Sequence, residues 1–151
     1  MVGEYFESKN FGRMLVVGKL TTSRYRVIFQ NTGTEAVATA ANIKTGSVKD
    51  RYAPVVAGVG FLAGADTTTN PKLYARWKRM LQACYDPFHV DYHANGAAGI
   101  TVETRWHSFE NYEKDILKCW EAMGSPERYR IFRKGDVYNL NNILMVEQKQ
   151  I

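Results

Sequence analysis

The sequence predicts an α+β protein: a small N-terminal β-barrel or meander, then a helix–turn–strand–helix unit, then a C-terminal hairpin. Three observations carry this. Residues 11–49 alternate in strand fashion between turn signals, residues 71–85 repeat their apolar positions at helical spacing, and a second helical pattern follows a short apolar strand at 100–103. The boundaries so drawn are a β-rich lobe at 1–57, a Gly-rich connector at 58–71 and an α+β lobe at 72–151.

In the first lobe, GRMLVVGKL and YRVIFQN are rich in β-branched and aromatic residues, Asn31-Thr32-Gly33 offers a hairpin turn, and EAVATAANI reads as a third strand. Lys19, Arg24, Arg26, Lys44, Lys49 and Arg51 could contact phosphates if they share a face; a purely structural lobe is the alternative. The connector has Gly58, Gly60 and Gly64 but no following Lys-Ser/Thr, so it reads as turns and close backbone packing rather than a phosphate loop.

Asn70 and Pro71 open the clearest helix, with Leu73, Trp77, Met80, Leu81 and Cys84 on one apolar stripe. Lys72, Arg76, Lys78 and Arg79 stand on its other faces, either as a basic ridge for phosphates or as an ordinary solvated face. Asp86-Pro87 ends it. In the loop beyond, Cys84, His89 and His93, with Asp91 and His107, have spacings a metal could use. The paired ligand elements of zinc sites are missing, so a metal-free loop is expected.

Ile100 to Glu103 reads as a short strand. Ser108 caps a second helix burying Phe109, Tyr112, Ile116 and Trp120, with Cys119 beside them, until Gly124-Ser125-Pro126 stops it. The tail reads as a hairpin turning at Lys134-Gly135-Asp136, with Arg128, Arg130, Arg133 and Lys134 on its rim. Trp77 and Trp106 fall at packing positions and are expected in the core.

Bulk properties bound the function. The chain of 151 residues, 45% hydrophobic and 23% charged, suits one domain or two small lobes and not a disordered segment. No apolar run approaches the ~20 residues of a membrane helix, and MVGEYFESKN lacks a secretory apolar block, so a cytoplasmic protein without a membrane partner is expected. Two cysteines are too few for a disulfide framework. The formal charge of +5 favours an anionic partner. Its bias is N-terminal: residues 1–64 hold eight Lys/Arg against four Asp/Glu, and residues 65–151 hold twelve against eleven.

YARWKRMLQACYDP, GAAGITVETRWHSFENYEKDI and YRIFRKGDVYNLNNILMVEQKQ, spanning roughly residues 73 to 150, resemble three blocks of the small HNH-type, homing-endonuclease-like proteins of bacteriophages. The first is similar to the pattern Tyr-x-x-Trp-x-x-Met-x-x-Arg-Cys-Tyr, and the second to Gly-x-Arg-Gly-Ile followed by Trp-x-x-Phe. The N-terminal lobe also resembles the leading segment of some phage members. The departures fall on polar positions: Ala83 and Ala98 stand where the pattern has Arg, Ile131-Phe132-Arg133 lacks its Asp-Arg pair, and Ile143-Leu144-Met145 replaces Cys-Arg-Trp. The resemblance implies a DNA-cutting scaffold whose apolar frame persists without its charged set.

The leading expectation is therefore a phage DNA-binding protein, without cofactor, on a nuclease-derived scaffold that has lost catalysis. Its expected phosphate contacts are Arg76, Lys78 and Arg79, then Lys44, Lys49 and Arg51, then Arg128, Arg130 and Lys134. An active endonuclease using Mg²⁺ or Mn²⁺ is an alternative, with His107, Glu103, Asp136 and Asn142 as the remaining catalytic set. The other is an inhibitor gripping a host protein of nucleic-acid metabolism through surplus aromatics, the chain having nine Tyr, seven Phe and three Trp.

Overall fold

A computed structural model describes residues 1–149 and has the α+β composition expected. Gln150 and Ile151, the end of the lobe and of the family-like stretch, lie outside the described residues. The chain divides into two compact units, Met1–Ala53 and Pro54 onward.

The first unit is an antiparallel sheet of β1 (Tyr5–Ser8), β2 (Gly12–Lys19), β3 (Arg24–Phe29) and β4 (Glu35–Thr39), adjacent in sequence order. Of the two forms the sequence allowed, this is the meander: among the described residues β1 and β4 do not pair, so no barrel closes. A short helix, α1 (Ala40–Thr45), packs against both of those edge strands instead. EAVATAANI is thus not one strand. Thr39 breaks it, its Oγ1 accepting from the Asn42 N–H at 3.2 Å as a helix cap, and Gly46 closes the helix at φ +74°. Met14, Val16, Val27, Phe29, Ala38, Ile43 and Val48 form the core of this unit.

The second unit is built on two helices, α2 (Pro71–Tyr85) and α3 (Phe109–Ala122), with strands β5 (Thr101–Val102), β6 (Tyr129–Arg133), β7 (Val137–Tyr138) and β8 (Ile143–Glu147). The stripe expected on α2 is buried, joined by Ala83. Trp77 and Trp106 are in the core at 0% and 1% exposure, and Trp77 Nε1 donates to the Trp106 carbonyl at 2.8 Å. An indole buried without such an acceptor would cost about 1–3 kcal/mol.

Both helices begin where the sequence predicts, at Pro71 and Phe109, but only one cap works as expected. Ser108 Oγ accepts from the Asn111 N–H, whereas the Asn70 side chain makes no capping bond and donates to Glu113 of α3 at 3.1 Å. Trp120 is only half-buried, its Nε1 donating to the Pro126 carbonyl at 2.8 Å.

Two readings of organisation change. The segment drawn as a connector at 58–71 belongs to this unit. Phe61 exchanges backbone hydrogen bonds with His107 and Phe109, and Val56 and Ala65 join the core cluster. The tail is a hairpin of β6 and β8, Tyr129 opposite Glu147 through Arg133 opposite Ile143, but it does not turn tightly at Lys134-Gly135-Asp136. Its connection instead carries β7, which leaves to pair in parallel with β5. Among the described residues no helix is long and apolar enough to cross a membrane.

Candidate nucleic-acid interface

At about 100° per residue, Arg76 and Arg79 lie roughly 60° apart on α2, while Lys78 points to a separate face. The side chains agree. Lys78 Nζ sits over the Tyr74 ring at 5.3 Å, and the Arg76 guanidinium over Tyr129 at 4.8 Å. No carboxylate pairs with Arg76 or Arg79 among the described residues. The ridge read from the sequence is therefore two arginines, with Lys78 beside it.

Those arginines stand at a cavity of about 310 Å³, whose walls also include Asp91, Asn95, Tyr112 and Tyr138. That volume is near the low end of ligand pockets, ~300–1,000 Å³. Tyr112 is 2% exposed, and it forms part of the cavity wall. Burial pushes its phenol up, with the positive charges of Arg76 and Arg79 among the groups pulling against that shift. Arg133, expected on the rim, turns inward because strand alternation puts it on the face of Ile131. Its guanidinium lies 5.5 Å from the centroid of the Tyr138 ring, Nη1 donates to the Gly135 carbonyl, and Nε is buried without a partner among the described residues.

The third basic group is divided by the same alternation. Arg130 is exposed on the outer face of the hairpin with Phe132, Leu144 and Val146, on the opposite side of β6 from Tyr129 and Arg76. Arg128 precedes the strand and Lys134 follows it, both exposed. In the first unit, Lys44 lies in the last turn of α1, and Lys49 and Arg51 flank Asp50; all three are exposed. Asp50 itself is buried, accepting from Thr32 Oγ1 and from the Tyr52 N–H at 3.0 Å.

The candidate catalytic residues come from two stretches of the second unit, 103–107 and 136–142. His107 Nε2 lies 3.1 Å from the Val102 carbonyl, its ring edge-on to Tyr85. Glu103, just after β5, and Asp136, just before β7, are exposed; Thr101 N–H donates to the Asp136 carbonyl and Glu103 N–H to the Tyr138 carbonyl, which sets the two residues at opposite ends of the ladder. The Asn142 backbone is tied to Asn139 and Lys134.

The sulfur and nitrogen groups of the loop are likewise separate. Cys84 is in the core, where burial pushes its thiol up to about 11 with Arg133 pulling the other way. His89 Nδ1 accepts from the Asp91 N–H at 3.2 Å, and His93 is exposed. Among the described residues no three His, Cys, Asp or Glu side chains are grouped to hold a metal.

Comparison of the chain with protein-family models, curated proteins and solved structures finds no match. The site thus rests on its own residues. Sequence reasoning found its two arginines and placed Tyr112 correctly as buried, but missed Asn95 and Tyr138 as cavity walls. The available signal was an aromatic residue at a helix position whose polar tip needs an outlet.

Proposed function

We propose that this protein binds double-stranded DNA of a phage or its host without cutting it, on a scaffold derived from HNH-type nucleases. What supports the reading is the pair Arg76 and Arg79, exposed or half-exposed on one helix face, free of carboxylate partners among the described residues and beside a cavity whose Tyr138 wall has the Arg133 guanidinium over its ring. Unneutralised arginines on a helix are ready contacts for phosphate oxygens. The resemblance of residues 73 to 150 to the phage nuclease blocks points the same way, and its missing arginines agree with lost catalysis.

Fluorescence anisotropy with a labelled duplex tests this. Four to six phosphate contacts give a log–log salt slope of about −4 to −6, and a flat dependence overturns the reading. Plasmid incubated with Mg²⁺ or Mn²⁺ is expected to stay intact. Cleavage that disappears in His107→Ala would instead restore the nuclease alternative, with His107, Glu103, Asp136 and Asn142 in play.

One observation favours a second reading, capture of a host protein. Phe132, Leu144 and Val146 are 48%, 50% and 41% exposed on the outer face of the hairpin, beside Arg130. Aromatic, aliphatic and Arg side chains together are the composition of interface anchors. A single stoichiometric host partner that survives nuclease treatment would favour it over DNA.

A further inference from the structure

We infer that the cavity beside α2 is a site for one nucleotide, its base inside and its phosphate on Arg76 and Arg79. The inference deepens the proposed duplex binding and rests on it for the source of the nucleotide.

Three features of the cavity converge on this ligand class. Its walls are aromatic, with Trp106, Tyr112 and Tyr138, which suits a flat ring. Tyr112, 2% exposed, lines the cavity, and its phenol hydroxyl can donate to or accept from a ring edge there. Charge and polarity are then distributed along the helix. Arg76 and Arg79 stand toward one end of the wall that α2 provides, and Ala83 stands seven residues from Arg76, roughly 10 Å along the axis. Asn95 and Asp91 lie by the Ala83 end, because Gly96 seats their loop on the Cys84 carbonyl. Asn95 Nδ2 donates to the Asp91 carbonyl at 2.8 Å, leaving its Oδ1 to accept from a base amino group. The Asp91 carboxylate repels a phosphate at that end and so fixes the direction of entry.

The same loop carries a means of extracting a base from a stack. Phe88 and Val90 are 98% and 87% exposed, two apolar side chains held in water just before the cavity residues Asp91 and Asn95. Proteins that open duplexes insert such wedges between base steps, and an extruded nucleotide is read in a pocket by edge hydrogen bonds and stacking.

The test is competition anisotropy on the full chain with a fully paired duplex, the same duplex carrying a single-base bulge, and free deoxynucleoside monophosphates. The bulged duplex is expected to bind about tenfold or more tightly than the paired one, since an unpaired base is spared the unpairing cost. Tyr112→Phe should reduce that preference about three- to tenfold, the worth of one hydrogen bond. Phe88→Ala, at a fully exposed position, should reduce it without altering the thermal melt. Saturable binding of a free monophosphate, weakened by Tyr112→Phe, supports the site even if no duplex binds, and then removes the duplex reading alone. Equal binding of paired and bulged duplexes with no monophosphate binding overturns the nucleotide site and leaves duplex binding standing. No binding of any probe overturns both.

Discussion

Asp115 grips Arg105 with both carboxylate oxygens, Nε and Nη2 each at 2.9 Å, while the oxygen that meets Nε also accepts from Trp106 Nε1 at 2.8 Å. One carboxylate on α3 therefore fixes the turn after β5 and the indole that lines the cavity. The pair holds the Asp115 carboxyl below the ordinary carboxylate range, the Arg105 hydrogen bond being the chief cause.

Because the folded Asp115 binds its proton less readily than the unfolded one, its stabilisation is present above the unfolded value near 3.9 and fades as pH falls through the folded value. Asp115→Asn should cost about 1–2 kcal/mol at neutral pH, since the amide keeps one acceptor for Trp106 and loses the charged pairing. Urea midpoints of both proteins between about pH 7 and pH 3 should converge toward the acid end. A gap that is constant with pH would remove this account of Asp115.

Arg76→Ala and Arg79→Ala should each weaken duplex binding and lower the log–log salt slope by about one. Lys78, which leans over Tyr74 on another face, should change the slope less when replaced by Ala. Salt titrations of the three variants decide it; a larger loss for Lys78 would mean that another face of α2 meets the phosphates.

The two thiols should differ in reactivity. Cys84 is 4% exposed with its thiol pushed up to about 11, whereas Cys119 is half-buried. Ellman's reagent on the native protein should titrate Cys119 alone, and both only after denaturation. Rapid labelling of Cys84 in the native state would show that the core beneath the cavity opens.

Two glycines make a controlled pair. A Cβ at Gly96 would meet the Cys84 carbonyl and the Tyr92 ring, and backbone cannot give way; one at Gly64 would meet only the Glu110 carboxylate at 2.8 Å, the end of a flexible side chain. Gly96→Ala should cost about 1–3 kcal/mol and lift the Asp91–Asn95 loop, whereas Gly64→Ala, which disturbs only the exposed hydrogen bond from the Gly64 N–H to Glu110, should cost roughly 1 kcal/mol or less. Thermal melts of both variants measure the difference.

The helices α2 and α3 were legible because their evidence is local: a 3.6-residue repeat, Pro71 at the start, and Ser108 before Phe109. The α+β order and the burial of Trp77 and Trp106 follow from the same repeats. What escaped was set by distant partners or very short range. β1 is four residues long and needs β2 to exist as a strand, while Thr39 switches a strand into α1 within one residue. The basic residues were legible as a census and not as a surface. Strand alternation sends Arg130 outward and Arg133 inward, and helix geometry parts Lys78 from Arg79. The cavity depends on which elements meet around Tyr112, and its own helix pattern shows only that the ring is buried.

The parallel pairing of β5 with β7 ties Thr101 and Val102 to residues that follow the whole of α3 and β6. Its formation is a late event by nature, since closing so long a loop brings little reward until both helices are docked. A ribosome must deliver Val137 and Tyr138 before β5 has a neighbour, and until then the Tyr138 wall is missing. Nascent chains would therefore hold the arginine helix well before they hold a pocket.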